Sequence, residues 1–177
     1  MVKLDENMIK RCLDGDRRAQ MHLYSAFYKR VFNSCFRILR DKGDAEDAMQ
    51  ESFVKAFSRL RQFDGAVPFE AWIVRIAINT SIDRLRESRL EVVDCDETRL
   101  EGFEDSREED DWEHTLERAA QVKAAIERLP DASRIIVTLY LLEGYDHDEI
   151  AQILNITGGT ARIQYMRAKQ KLIQLLK

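Results

Sequence analysis

The chain is predicted to be all-α, with two small helical domains joined by a flexible acidic linker, the C-terminal one a helix-turn-helix. Three observations predict this. Long runs of helix-forming residues carry their apolar side chains at helical rather than alternating spacing. Only seven Gly and two Pro punctuate the 177 residues. Acidic charge is local: residues 94–113 hold 11 acidic and 2 basic side chains, against 14 and 17 in residues 1–93 and 7 and 9 in residues 114–177. The segment DCDETRLEGFEDSREEDDWE has little apolar surface to bury and dense like charge, which favours an extended connection. The expected layout is an N-terminal domain over 1–93, a linker over 94–113 and a C-terminal domain over 114–177. With 45% hydrophobic residues the chain can bury one or two small cores.

In the first domain, a helix is predicted from about Asp44 to Leu60. Ala45, Met49, Phe53, Ala56, Phe57 and Leu60 form its apolar stripe, while Asp47, Glu51, Val54, Lys55 and Ser58 project the other way with Gln50 on the flank. Periodicity alone makes that outer face an ordinary solvated one. The next helix, FEAWIVRIAINTSIDRLRES, differs in kind. Phe69, Trp72, Ile73 and Ile76 mark one apolar side and Val74, Ile78 and Leu85 a second, so most of its circumference must be buried. Arg75, Asn79 and Arg86, at i, i+4 and i+11, lie on a narrow polar strip near Ile82 and Asp83. The strip combines cations that reach phosphates with an amide able to read a base edge. A solvated strip with a local Asp83–Arg86 pair explains it equally well. Between the two helices, the loop from Arg61 to Phe69 has aromatic ends, a flexible Gly65 and a stiff Pro68. Such rings either hold an unstacked base or anchor the loop to the core.

The segment from Leu129 to Leu176 reads as a helix-turn-helix. Asp146 and Glu149 have capping-box spacing and open a short helix. Ile150, Ala151, Ile153 and Leu154 supply its buried side, and Asn155 before Ile156 suits a left-handed turn. Thr157 then caps a second helix. At about 100° per residue, Ala161, Tyr165, Ala168, Leu172 and Leu175 fall on its core side, with Arg162, Ile163, Arg167, Lys169, Gln170 and Lys171 opposite and on the flanks. From Thr157 to Lys177 there are five basic residues and no acidic one. A basic helix behind a capped helix and turn is the arrangement that enters a major groove, which makes Arg162, Ile163, Arg167, Lys169 and Lys171 candidate DNA contacts.

Composition excludes other classes. Cys12, Cys35 and Cys95 show no paired metal-ligand spacing, the three histidines are scattered, and a reducing compartment is expected. The longest apolar stretch, Ile135 to Leu142, is interrupted by Thr138 and too short to span a bilayer, and the N-terminus lacks an apolar signal segment. A cytoplasmic protein without membrane insertion is expected. With no Gly-rich phosphate loop and no nucleophile–base pair at recognisable spacing, no catalytic residue, metal or cofactor is assigned.

Together these residues resemble the bacterial extracytoplasmic-function sigma factors of the sigma-70 family, the smallest class of RNA polymerase initiation subunits. DAEDAMQESF is similar to that family's polymerase-binding helix, FEAWIVRIAINTSIDRLR to its promoter-melting helix, and the segment from Leu129 to Leu172 to its C-terminal promoter-binding domain. The resemblance implies core RNA polymerase and promoter DNA as partners. Asp47, Gln50 and Glu51 would dock on the polymerase clamp helices. Arg75, Asn79, Asp83, Arg86 and the loop Gln62 to Phe69 would capture melted minus-ten DNA, and Arg162, Ile163, Gln164 and Arg167 would recognise the minus-thirty-five duplex. The linker would thread through channels that later carry RNA. Members are commonly held by an anti-sigma factor, which no residue here identifies, and the free chain is expected to be a monomer. One departure stands out: many relatives carry a small polar residue and an Arg where this chain has Ile163 and Gln164. Ile163 suits a thymine methyl and Gln164 an adenine edge. The competing expectation is a two-domain regulator whose helix-turn-helix binds duplex operator DNA while its N-terminal helices dimerise or sense a signal.

Overall fold

The structure, a computed structural model, describes residues 6–88 and 112–176. Residues 89–111, which include Cys95 and most of the segment expected to be a linker, lie outside the described residues. The chain divides into two compact units, residues 1–90 and 91–177. All regular elements among the described residues are helical.

The first unit holds α1 (Glu6–Leu13), α2 (Arg17–Leu39), α3 (Lys42–Ser58) and α4 (Phe69–Ser88). Asp16 opens α2 by accepting from the amides of Arg18 and Ala19 at 2.9 and 3.3 Å, and Arg11 Nε braces its carboxylate at 2.8 Å. Asp41 caps α3 by accepting from the Asp44 amide at 2.9 Å, so that helix begins at Lys42, two residues ahead of the predicted Asp44. It stops at Ser58 rather than Leu60, and the chain tightens into a single 3-10 turn, Leu60–Gln62. Helices α2, α3 and α4 pack on one another around Leu23, Phe27, Val31, Cys35, Met49, Phe53, Leu60, Phe69 and Ile73. The predicted α3 stripe faces this core, with Phe57 half-buried, and it is wider than predicted. Ala48 and Ser52 are both fully buried, and Ser52 Oγ donates to the Ala48 carbonyl, so a small polar residue sits inside without a lost hydrogen bond.

The aromatic ends of the loop between α3 and α4 belong to the core. Phe63 meets Phe69 edge-on at 5.6 Å between centroids and Trp72 at 5.3 Å, and Phe69 is 3% exposed. Both rings thus anchor the loop, Phe69 from within the core and half-buried Phe63 against its edge. At the loop tip Asp64 accepts from the Ala66 amide at 2.9 Å, and Gly65 takes φ +76, a backbone region that disfavours side chains.

The second unit contains α5 (Trp112–Arg128), α6 (Asp131–Val137), α7 (His147–Leu154) and α8 (Gly158–Leu176). Helix α5 starts inside the C-terminal end of the segment assigned to the linker. After α6 the backbone widens into a π-helical turn, Thr138–Leu142, closed by the Glu143 amide donating to the Thr138 carbonyl at 3.0 Å. The apolar run from Ile135 is therefore core: Ile135 to Leu139 are buried and Tyr140 and Leu141 emerge. No helix among the described residues is long and apolar enough to cross a membrane. Helix α8 packs on α5, α6 and α7, with Ala161, Ala168 and Leu172 buried and Tyr165 and Leu175 half-buried.

Candidate nucleic-acid interface

Local sequence grammar builds the helix-turn-helix. The Asp146 carboxylate accepts from the Asp148 and Glu149 amides at 2.9 and 2.8 Å, and Glu149 Oε2 accepts from the Asp146 amide at 3.1 Å. Asn155 ends α7 in the left-handed conformation, φ 55 and ψ 48. Thr157 Oγ1 then accepts from the Thr160 amide at 3.1 Å and starts α8. Two tertiary features lay beyond sequence reasoning. The rings of Tyr140, His147 and Tyr165 form a cluster, with centroids 4.9 Å apart for Tyr140–His147, 4.2 Å for Tyr140–Tyr165 and 5.2 Å for His147–Tyr165. They tie the π turn, the first residue of α7 and the middle of α8 together. A Cβ at Gly158 would stand 2.7 Å from Asp148 Oδ1, so any larger residue at the start of α8 requires the exposed Asp148 side chain to turn aside.

On α8, Arg162, Ile163, Lys169 and Lys171 are exposed, Ile163 at 41%. Gln164 and Arg167 are half-buried, and Arg167 Nε is shielded from solvent. The expectation that Arg167 lies on the open side is thus corrected. A projection gives an angle around one helix, whereas α8 packs against three neighbours whose positions the projection does not contain.

On α4, Asn79, Asp83 and Arg86 are exposed and Arg75 is half-buried, forming the predicted polar strip. Ile82, expected beside it, is 3% exposed and belongs to the interior. Asp83 and Arg86 pair at 3.6 Å across one turn with both side chains open to water, a contact worth less than about 1 kcal/mol and readily exchanged for a phosphate. On α3, Asp47, Gln50 and Val54 are exposed, Val54 at 68%. Glu51 differs from them. Arg84 Nε and Nη2 both donate to its Oε2, at 3.1 and 3.0 Å, and Lys55 Nζ pairs with its Oε1 at 2.8 Å. The i, i+4 Glu51–Lys55 spacing was visible in the sequence, but the Arg84 partner was not.

Two polar faces on one unit and a basic helix on another thus stand in the order that the motifs imply. Residues 23–91 match Sigma-70 region 2, and residues 119–172 match Sigma-70, region 4. The chain is 32% identical to the ECF RNA polymerase sigma-E factor of Salmonella typhimurium, over 95% of this chain and 92% of that one. The chain belongs to the ECF RNA polymerase sigma factors. This sigma factor is also 32% identical to the RNA polymerase sigma-H factor of Pseudomonas aeruginosa, over 97% of its own length and 93% of the relative's. It is 28% identical to the ECF RNA polymerase sigma factor SigW of Bacillus subtilis, over 100% and 99%. Its fold is shared with the solved structure of CnrH in complex with the cytosolic domain of CnrY, at 23% identity and a TM-score of 0.56, covering 97% of this chain and 96% of that one. The sigma factor RpoE in complex with the anti-sigma factor NepR from Bartonella quintana gives 19% identity and a TM-score of 0.57, over 88% and 95%. Region 2 of the sigma factor spans most of α2 and all of α3 and α4, and region 4 runs from within α5 into α8. Membership does not favour the alternative of a regulator acting on duplex operator DNA.

Proposed function

We propose that this sigma factor binds core RNA polymerase and directs promoter-specific initiation with a division of labour between its two units. The outer face of α3 docks on polymerase through Asp47 and Gln50, with Glu51 at its edge. The α4 strip of Arg75, Asn79, Asp83 and Arg86 captures the melted minus-ten strand. Phe69 is committed to the core, so the loop contributes through its exposed residues, Gln62, Asp64, Ala66 and Val67, beside the open part of half-buried Phe63. Helix α8 reads the minus-thirty-five duplex, with Arg162, Lys169 and Lys171 on phosphates and Ile163 and Gln164 toward base edges; half-buried Arg167 supports them from the flank.

The observation that carries this reading is the charge of α8: from Thr157 onward it is basic without an acidic residue, behind a doubly capped helix-turn-helix. Its setting is cytoplasmic, its free state monomeric, and an anti-sigma factor is a further partner. The test is gel filtration with purified core polymerase and labelled duplex. Co-elution with core enzyme in a one-to-one complex, with promoter binding only in that complex, supports the reading. A dimer that binds duplex tightly by itself and ignores polymerase contradicts it.

A further inference from the structure

The acid–base cluster between α3 and α4 is the feature that this division of labour leaves without a task. Both oxygens of Glu51 are occupied, Oε2 by the Arg84 fork at 3.1 and 3.0 Å and Oε1 by Lys55 at 2.8 Å. Lys55 Nζ also donates to Thr80 Oγ1 at 3.2 Å, and Arg84 Nη1 stands 3.7 Å from Asp47. The Glu51 and Arg84 side chains are 38% and 31% exposed, so the pair is partly withdrawn from water and held by two hydrogen bonds, unlike a freely solvated surface pair. A carboxylate so held has little capacity left for another protein.

Position along α4 gives the cluster its meaning. Thr80 and Arg84, the two α4 members, directly follow Asn79 and Asp83 of the capture strip. Ala77 is the last α4 residue of the core cluster formed with α2 and α3, and Ile78, Ser81 and Ile82 beyond it are buried as well. On the polar side of this half, where the strip continues, the contacts from α4 to α3 are the charged ones of Arg84 and the Lys55–Thr80 hydrogen bond.

We propose that Arg84 is a positioning residue for minus-ten capture: through Glu51 and beside Lys55, it fixes the C-terminal half of α4 against the polymerase-docking helix. Arg84 touches neither DNA nor polymerase in this role, and Glu51, at the edge of the docking face, is held by α4. The inference rests on the functional reading above. Releasing the clasp lets the strip sample more orientations, and apparent affinity falls with the fraction of time that it is in place. Docking through Asp47 and Gln50, on the outward face of α3, is left intact.

The test uses full-length protein in holoenzyme and a fluorescent single strand carrying the minus-ten segment of a promoter found by run-off transcription. Arg84→Gln should leave affinity for core polymerase within about twofold and weaken strand capture about fivefold, the effect of one partly screened charged contact. Glu51→Arg alone should also weaken capture. The double exchange Glu51→Arg with Arg84→Glu should restore capture, since Lys55 can pair with the new carboxylate. Arg84→Lys, which keeps the charge but loses the fork, should fall between wild type and Arg84→Gln. Asn79→Ala is the control that loses a direct contact and is not rescued by the exchange. Unchanged capture by both Arg84→Gln and Arg84→Lys overturns the proposal. So does a loss of core affinity in step with capture that the exchange fails to relieve. A wild-type holoenzyme that binds no strand overturns the functional reading itself, and the clasp's role with it.

Discussion

Asp146 and Glu149 cap the first helix of the helix-turn-helix reciprocally, each side chain accepting from the other's backbone amide, at 2.8 and 3.1 Å. The turn of α7 that precedes the recognition helix therefore holds its shape through one side-chain pair. Asp146→Ala is expected to destabilise the C-terminal unit by about 1 kcal/mol. Binding of the minus-thirty-five duplex by holoenzyme should weaken while affinity for core polymerase stays unchanged. Urea denaturation together with the two binding assays checks this, and an equal loss in both assays would argue against a local effect.

The exposed positions on α3 define the docking test. Asp47→Arg with Gln50→Arg should abolish co-purification with core polymerase and leave the circular dichroism spectrum unaltered, because both side chains point away from the buried stripe. A folded double variant that still co-purifies normally would move the docking face elsewhere.

On α8, charge and shape can be separated. Arg162 is exposed and should act on phosphate, so Arg162→Ala should weaken all promoters alike and flatten the salt dependence by about 0.9 in log–log slope. Ile163 carries no charge. Its replacement by Ala should leave the slope alone and weaken only sites bearing the contacted thymine, and uracil in place of that thymine should mimic the variant. A defect equal on thymine and uracil duplexes would reassign Ile163 to packing.

The clasp has a pH signature. Hydrogen bonding from Lys55 above all holds the Glu51 carboxyl below its ordinary value of 4.5, with burial opposing and Arg84 adding to the fall. A carboxylate lowered in the fold stabilises it above the unfolded pKa and stops doing so as pH falls through the folded one. The thermal advantage of wild type over Glu51→Gln should therefore be full above about pH 4.5 and shrink in more acidic solution. An advantage that grows on acidification would contradict the pairing.

What was legible in the sequence was what is local. The Asp146–Glu149 box, the left-handed Asn155 and the Thr157 cap follow from residue types three or four positions apart, and the span of α4 follows from its continuous apolar pattern. The clasp was hidden because Glu51 and Arg84 are 33 residues apart and meet only once α3 and α4 have packed. Arg167 was placed on the open side because periodicity fixes direction around a helix but not which neighbours cover it. The loop rings Phe63 and Phe69 left two roles open, and their anchoring contacts with Trp72 and with each other form only in the folded unit.

The central claim is promoter-directed initiation by polymerase, and run-off transcription with purified core enzyme across genomic fragments tests it most directly. Adding this sigma factor should produce transcripts of discrete length from a small set of fragments that core enzyme alone does not transcribe, with shared elements near minus ten and minus thirty-five. A holoenzyme that forms yet yields no start site above the core-alone background, on fragments covering the whole genome, would contradict the account.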